Sequence, residues 1–142
     1  MIRLDRKSHT AIIRHAESDY PFAACGLLLG QQLQDWLFIS EVVPSPNLAE
    51  QPLHNFEIDP GLRLRVQKAS RKGKNRIIGH YHTHPDGEAV PSTTDRSRIY
   101  ETDLIWIIVS VCDGQFSDLA AFAPSILGGG FDKVALDWAK DG

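Results

Sequence analysis

Apolar positions along the chain switch repeatedly between the two-residue period of strands and the wider period of helices. Ile2 and Leu4 alternate with Arg3 and predict a short strand. Over residues 5–18, Ala11, Ile12, Ile13 and Ala16 form a helical stripe that Asp19-Tyr20-Pro21 breaks. The run Ala23-Ala24-Cys25-Gly26-Leu27-Leu28-Leu29-Gly30 is continuously apolar, as in a strand covered on both faces. Residues 36–43 are aromatic and β-branched and predict a strand paired with it, ended by Pro44-Ser45-Pro46-Asn47. A loop to Pro52 and a short strand over 53–58 follow. Asp59-Pro60 reads as N-cap and first position of a helix carrying Leu62, Leu64, Val66 and Ala69 to about Arg71.

Strand character returns over 76–81, a helix is expected over 92–101, and 104–112 reads as another buried strand. Two further short strands are expected near 119–123 and 134–138, with Gly128-Gly129-Gly130 as a turn between them. No repeat or linker interrupts the pattern. The fold class it predicts is α/β (mixed α+β): one domain over 1–142 with a central mixed β-sheet flanked by helices.

Composition adds exclusions. A chain of 142 residues with 42% hydrophobic and 23% charged residues suits one globular core. The net charge of −3 lacks the basic footprint of a nucleic-acid binder, and Arg71-Lys72-Gly73-Lys74-Asn75-Arg76 reads as a solvated turn. Neither a membrane span nor an apolar leader is visible, so the expected location is cytoplasmic, with no membrane partner. Cys25 and Cys112 lie in separate apolar runs and are expected to be buried thiols in a reducing compartment.

The candidate chemistry is concentrated in Gly79-His80-Tyr81-His82-Thr83-His84-Pro85 and the following Pro91-Ser92-Thr93-Thr94-Asp95. On a strand, His80, His82 and His84 share one face, the last two near its end. Ser92 and Asp95 fit a helix capping box, which is the structural reading of that pair. Beside two histidines, the same carboxylate becomes a candidate third ligand for Zn²⁺, and Ser92 a donor to a developing oxyanion. His80 lies deeper and is assigned a packing or second-layer role. Three protein ligands leave a fourth tetrahedral position for water, the arrangement of a catalytic zinc site.

His82-Thr83-His84, seven residues, then Ser92-Thr93-Thr94-Asp95 resembles the zinc signature of the JAMM/MPN+ metalloproteases. The resemblance extends to Tyr20-Pro21 with Ala24-Cys25-Gly26-Leu27-Leu28-Leu29-Gly30, and to Asn47, Phe56 and Asp59-Pro60, in the manner of compact bacterial members. It implies the cytidine-deaminase-like MPN fold, one Zn²⁺ per chain held by His82, His84 and Asp95 with water as fourth ligand, and Ser92 stabilising the tetrahedral intermediate. It also implies a ubiquitin-like or sulfur-carrier protein as partner, attacked at its C-terminal glycine tail by a deubiquitinase-like peptidase or isopeptidase.

The chain departs from the signature at one position. The family's general base is a glutamate two residues before Cys-Gly, and here that position is Ala23. A methyl group takes no proton, so the resemblance implies a chain that binds metal and hydrolyses very slowly. With every ligand retained, Ala23 reads as an engineered replacement for glutamate in an otherwise competent enzyme. The alternative is a natural pseudoenzyme that binds a ubiquitin-like partner without cleavage. A second enzymatic alternative, a two-metal metallo-β-lactamase-like hydrolase, would use His82-Thr83-His84-Pro85-Asp86, but Gly87 breaks that motif.

Overall fold

A computed structural model describes residues 1–125 and 129–138. The described strands form one eight-stranded sheet in the order β7-β6-β5-β4-β2-β3-β1-β8. Strand β1 (Ile2–Leu4) leads into helix α1 (Arg6–Asp19), whose N-cap Asp5 accepts a hydrogen bond from Ser8 N at 2.8 Å. Strands β2 (Cys25–Leu33) and β3 (Trp36–Ser45) form the expected antiparallel pair. Helix α2 (Pro60–Ser70) follows, with Asp59 as N-cap and proline in the first turn, where its missing N–H costs nothing. Strand β4 (Arg76–Pro85) pairs antiparallel with β2 and parallel with β5 (Ile105–Cys112). The short helix α3 (Thr93–Ser97) lies between them in sequence. Strands β6 (Gln115–Pro124) and β7 (Phe131–Val134) complete one edge, and β8 (Leu136–Trp138) runs parallel to β1 at the other. The mixed sheet flanked by helices is the predicted class.

The strict alternation of β4 and β5 divides the packing. Tyr81, Ile107, Val109 and Val111 face the cluster that contains Ile12 and Ala16 of α1. Trp106 and Ile108 face the opposite way, into a second cluster with Ala89, Ala120, Phe122 and, partly buried, Phe56 and Ile99. His80 and His82 are on that second face, in ring contact with Trp106 and Phe56. The histidines thus stand on the sheet face turned away from α1.

Several expectations change. Strand β4 runs four residues beyond the predicted 76–81, because its parallel ladder to β5 continues through Pro85 opposite Val111. Residues 53–58 are not a strand: the segment makes an isolated bridge between Asn47 and Ile58, and its backbone groups are shared among the Gln51 carbonyl, the Leu48 amide, the Asn47 side chain and the Arg98 guanidinium. The expected helix over 92–101 stops after Ser97, where Ile99 turns into the Trp106 cluster and packing overrides helix continuation. The expected strand over 134–138 is two strands, one on each edge of the sheet. Gly128 lies outside the described residues, while Gly129 and Gly130 take positive φ of 69° and 81° just before β7. Cys25 is buried and its thiol is pushed up to about 12 by burial, but Cys112 is exposed, since it ends β5 beside the tight turn to β6. No helix among the described residues is long and apolar enough to cross a membrane.

Tyr81 fixes the distance between β2 and α1. Its ring is fully buried, its hydroxyl lies 2.7 Å from His15 Nδ1, and His15 Nε2 lies 3.1 Å from Asp19 Oδ2. A Cβ at Gly26 would stand 2.5 Å from the Tyr81 ring and hydroxyl, so that position has no room for a side chain. Gly26→Ala is expected to destabilise the fold by about 1–3 kcal/mol through overpacking, read as a lower midpoint in urea unfolding with an unchanged slope.

Candidate metal centre

Two successive inward positions of β4 bring the imidazoles of His82 and His84 side by side, with their Nε2 atoms 3.0 Å apart. Asp95, the third residue of α3, closes the group: His82 Nε2 lies 3.1 Å from Asp95 Oδ1 and His84 Nε2 lies 3.1 Å from Asp95 Oδ2. The ligand atoms of all three residues lie within 4.8 Å of one another, which is the convergence a single ion requires. His82 and Asp95 are almost completely buried at 2% and 4% exposure, and His84 is half-buried.

The donor set suits zinc: two neutral imidazole nitrogens and one carboxylate, with a position left open. For Nε2 to serve as ligand, Nδ1 must carry the hydrogen. In His84 that hydrogen has an acceptor, the Glu88 carbonyl at 2.8 Å, which orients the ring. His82 is oriented by packing instead. Its ring stacks on Phe56 at 4.1 Å and 15° and meets Trp106 edge-on, while its Nδ1 is buried without a hydrogen-bond partner.

The electrostatics follow from this packing. Burial penalises the Asp95 carboxylate, but hydrogen bonds from His82, His84 and the Ser92 amide overcome that and hold it well below the usual carboxylate range. Burial also acts against a charge on His84, yet its bonds to Asp95 and the Glu88 carbonyl raise it above the ordinary histidine value. Burial dominates at His82, which is lowered. The site therefore carries an ionised acid between two imidazoles of unlike basicity.

The capping box and the ligand role coexist. Ser92 Oγ accepts from Asp95 N at 3.0 Å, and Asp95 Oδ2 accepts from Ser92 N at 2.9 Å. One Asp95 carboxylate thus caps the helix and faces both histidines. Ser92 is exposed; its oxygen is engaged as the cap and its hydroxyl hydrogen is left to donate.

Ala23 borders the same small cavity as His82, His84 and Asp95. Two devices hold it there. Ala24 N donates to Thr83 Oγ1 at 2.8 Å while Thr83 N donates to Ala24 O at 2.9 Å, tying residue 24 to the residue between the two histidines. Asn47 supplies the second: Nδ2 donates to the carbonyls of Ala23 and Asn55 at 2.9 and 2.8 Å, and Oδ1 accepts from Ala49 N and Glu57 N, both at 3.0 Å. All four bonds of the amide are used, which joins residue 23 to the segment that carries Phe56.

His80 is kept out of the metal group. It packs 4.4 Å from Trp106, and burial, then repulsion from His82 and Arg63, lowers it to about 3, in line with the packing role expected. Asp86 is also elsewhere: with φ of 58° it turns away, accepting from Tyr20 Oη at 2.7 Å and Asp113 N at 3.0 Å, so it does not join the histidines as a two-metal motif would require. Sequence reasoning missed Arg98, whose Nη1 donates to the Phe56 carbonyl at 2.7 Å at the cavity's edge. An isolated arginine after a helix carries no signal of its own.

Fold and site together define a single-domain-sized α/β protein with a His, His, Asp centre at the end of its middle strands. The sequence model described as prokaryotic homologs of the JAB domain matches residues 5–123, and the chain belongs to that family, a compact branch of the JAMM/MPN proteins. It is 29% identical over 120 residues to a desampylase of Haloferax volcanii, covering 82% of this chain and 84% of that one. It is 30% identical over 112 residues to a CysO-cysteine peptidase of Mycobacterium tuberculosis, covering 79% and 75%. A solution structure of a Desulfitobacterium hafniense protein superposes with a TM-score of 0.86 at 28% identity, over 99% of this chain and 94% of that one.

Zinc titration of the metal-free protein is expected to give one equivalent per chain. Asp95→Asn or His84→Gln should weaken binding by more than the roughly 10–100-fold typical of losing an outer partner. Affinity should rise with pH through the raised His84 titration, because the ion displaces that proton. Asn47→Ala removes four hydrogen bonds at once and is expected to cost about 2–3 kcal/mol of stability in urea unfolding.

Proposed function

We propose that this protein is a zinc metallopeptidase of JAMM type whose substrate is the C-terminal glycine tail of a ubiquitin-like or sulfur-carrier protein, and that Ala23 leaves it nearly without turnover. The observation that carries the reading is the convergence of His82, His84 and Asp95 beside Ala23 on one cavity wall. The names of the desampylase and the CysO-cysteine peptidase support a peptidase acting on such conjugates.

A bound Zn²⁺ supplies Lewis acidity and a water that loses its proton near neutral pH. The chain's own residues divide the remaining work. Asp95 and His84 hold the centre against the helix cap and the Glu88 carbonyl. The Ser92 hydroxyl donates to the oxygen that gains charge as the carbonyl is attacked. A base at position 23 would take the water proton and return it to the departing amine, and the methyl of Ala23 does neither. Partner binding through the tail does not require that base. A chain that binds and does not cleave is therefore the expected behaviour, and Ala23 as a replacement for glutamate accounts for the intact remainder of the site.

Ala23→Glu is expected to restore zinc-dependent cleavage of a glycine-tailed conjugate by about 10²–10⁴-fold, the usual worth of a positioned general base. Loss of that gain on chelation and its return with Zn²⁺ would complete the test. Tight binding with no cleavage by zinc-loaded Ala23→Glu would instead identify a protein built for binding alone.

A further inference from the structure

The three side chains of the metal group are not held alike. His84 has the Glu88 carbonyl for its Nδ1, and Asp95 is fixed by the helix cap. His82 Nδ1 has no hydrogen-bond partner among the described residues, so only packing limits rotation of that ring. Its tightest ring contact is Phe56, stacked at 4.1 Å and 15°, with Trp106 edge-on at 5.7 Å. Where His82 Nε2 points is therefore decided by where Phe56 stands.

Packing alone does not fix Phe56. It belongs to an irregular segment and lines both the small cavity at the metal group and an adjoining one of about 590 Å³, so its flanks are open. Two distant side chains hold the segment through its backbone. Asn47 takes the Asn55 carbonyl and the Glu57 amide, at 2.8 and 3.0 Å. The Phe56 carbonyl between them accepts from Arg98 Nη1 at 2.7 Å. Arg98 is half-buried and is also the C-cap of α3, its amide donating to the Asp95 carbonyl at 3.0 Å. One residue thus bonds through its backbone to the residue that supplies the carboxylate, and through its side chain to the residue stacked on an imidazole. The contacts close a ring from Asp95 to Arg98, Phe56 and His82, and back to Asp95 where His82 Nε2 meets Oδ1 at 3.1 Å.

We propose that Arg98 is a positioning residue of the metal centre, a strap from α3 to the Phe56 segment that sets how His82 and Asp95 approach one ion. This rests on the zinc reading above and adds a residue that acts on the ion through others. A helix of five residues is too short to fix its own tilt, and the cap secures only its first turn. Without the strap, Asp95 keeps its cap while the middle of the 55–57 segment is free to lift and the His82 ring to turn. The donor atoms are then all present but no longer pre-set, and metal affinity depends on the outer groups that hold ligands in their bound orientation. What the strap needs is a donor at that reach, so lysine serves and methionine, of similar length, does not.

The test follows zinc affinity, zinc release to a chelator and the visible absorption of the Co²⁺-substituted protein in the parent, Arg98→Met, Arg98→Lys and Phe56→Leu. Zinc content of the parent is measured first: a parent that takes up no zinc removes the metallopeptidase reading itself, a result distinct from zinc that binds without regard to residue 98. Arg98→Met should bind zinc about tenfold more weakly, through faster release, with displaced Co²⁺ bands that report altered ligand geometry. Arg98→Lys should recover most of the loss. Phe56→Leu should reproduce the Arg98→Met effect, and the two together should cost little more than the larger alone, because they act along one path. Unchanged zinc affinity and Co²⁺ bands in Arg98→Met, even with a lower urea midpoint, reduce the arginine to a loop anchor and overturn the proposal. Effects that multiply in the double variant overturn the route through Phe56. If Arg98→Met does not fold, Phe56→Leu decides, since it keeps the carbonyl and removes the stack: unchanged zinc release there overturns the strap.

Discussion

The structure depends on what happens to the Asp95 carboxylate. A carboxylate this deeply buried stays charged only if its lone pairs are matched, and here two imidazoles from β4 and the Ser92 amide match them. The same bonds decide where α3 starts, how the 85–91 loop returns to the sheet, and where a metal's donors meet. A five-residue helix has little stability of its own, so its position is set by that cap and that charge.

Around this centre, positional accuracy comes from backbone and amide bonds rather than from more charged groups. The reciprocal bonds between Ala24 and Thr83 lock β2 to β4 at the residue between the ligand histidines. Asn47 then anchors residue 23 and the Phe56 segment in one step. Phe56 in turn stacks on His82 and keeps water from one face of its ring. These contacts hold Ala23 at the edge of the cavity shared with His82, His84 and Asp95.

Much of this was legible in the residue order. The HxH alternation, the proline-bounded loop and the Ser-Asp spacing depend on local periodicity, and the structure brings those very ligand candidates together. The helix starts at Asp5 and Asp59 were readable because capping is a contact between near neighbours. The strand expected over 53–58 failed for the opposite reason: its backbone groups are taken by a turn to Gln51, by the Asn47 side chain and by the distant Arg98, none of which leaves a mark in local periodicity. The exposed Cys112 and the turned-away Asp86 were likewise decided by turns and by partners from distant segments, Tyr20 and Asp113.

The sequence by itself determined the α/β class, the family signature and the three candidate ligands, because each is written in spacing within one element or across one short loop. Only the tertiary structure decided that Ala23 stands at the same cavity as residues some sixty positions away, that Asn47 holds it there, and that Arg98 lies where that cavity adjoins a larger one lined by Phe56 and Trp106. Those facts arise from strand register and from which charges find partners, and both are properties of segments meeting across the sheet.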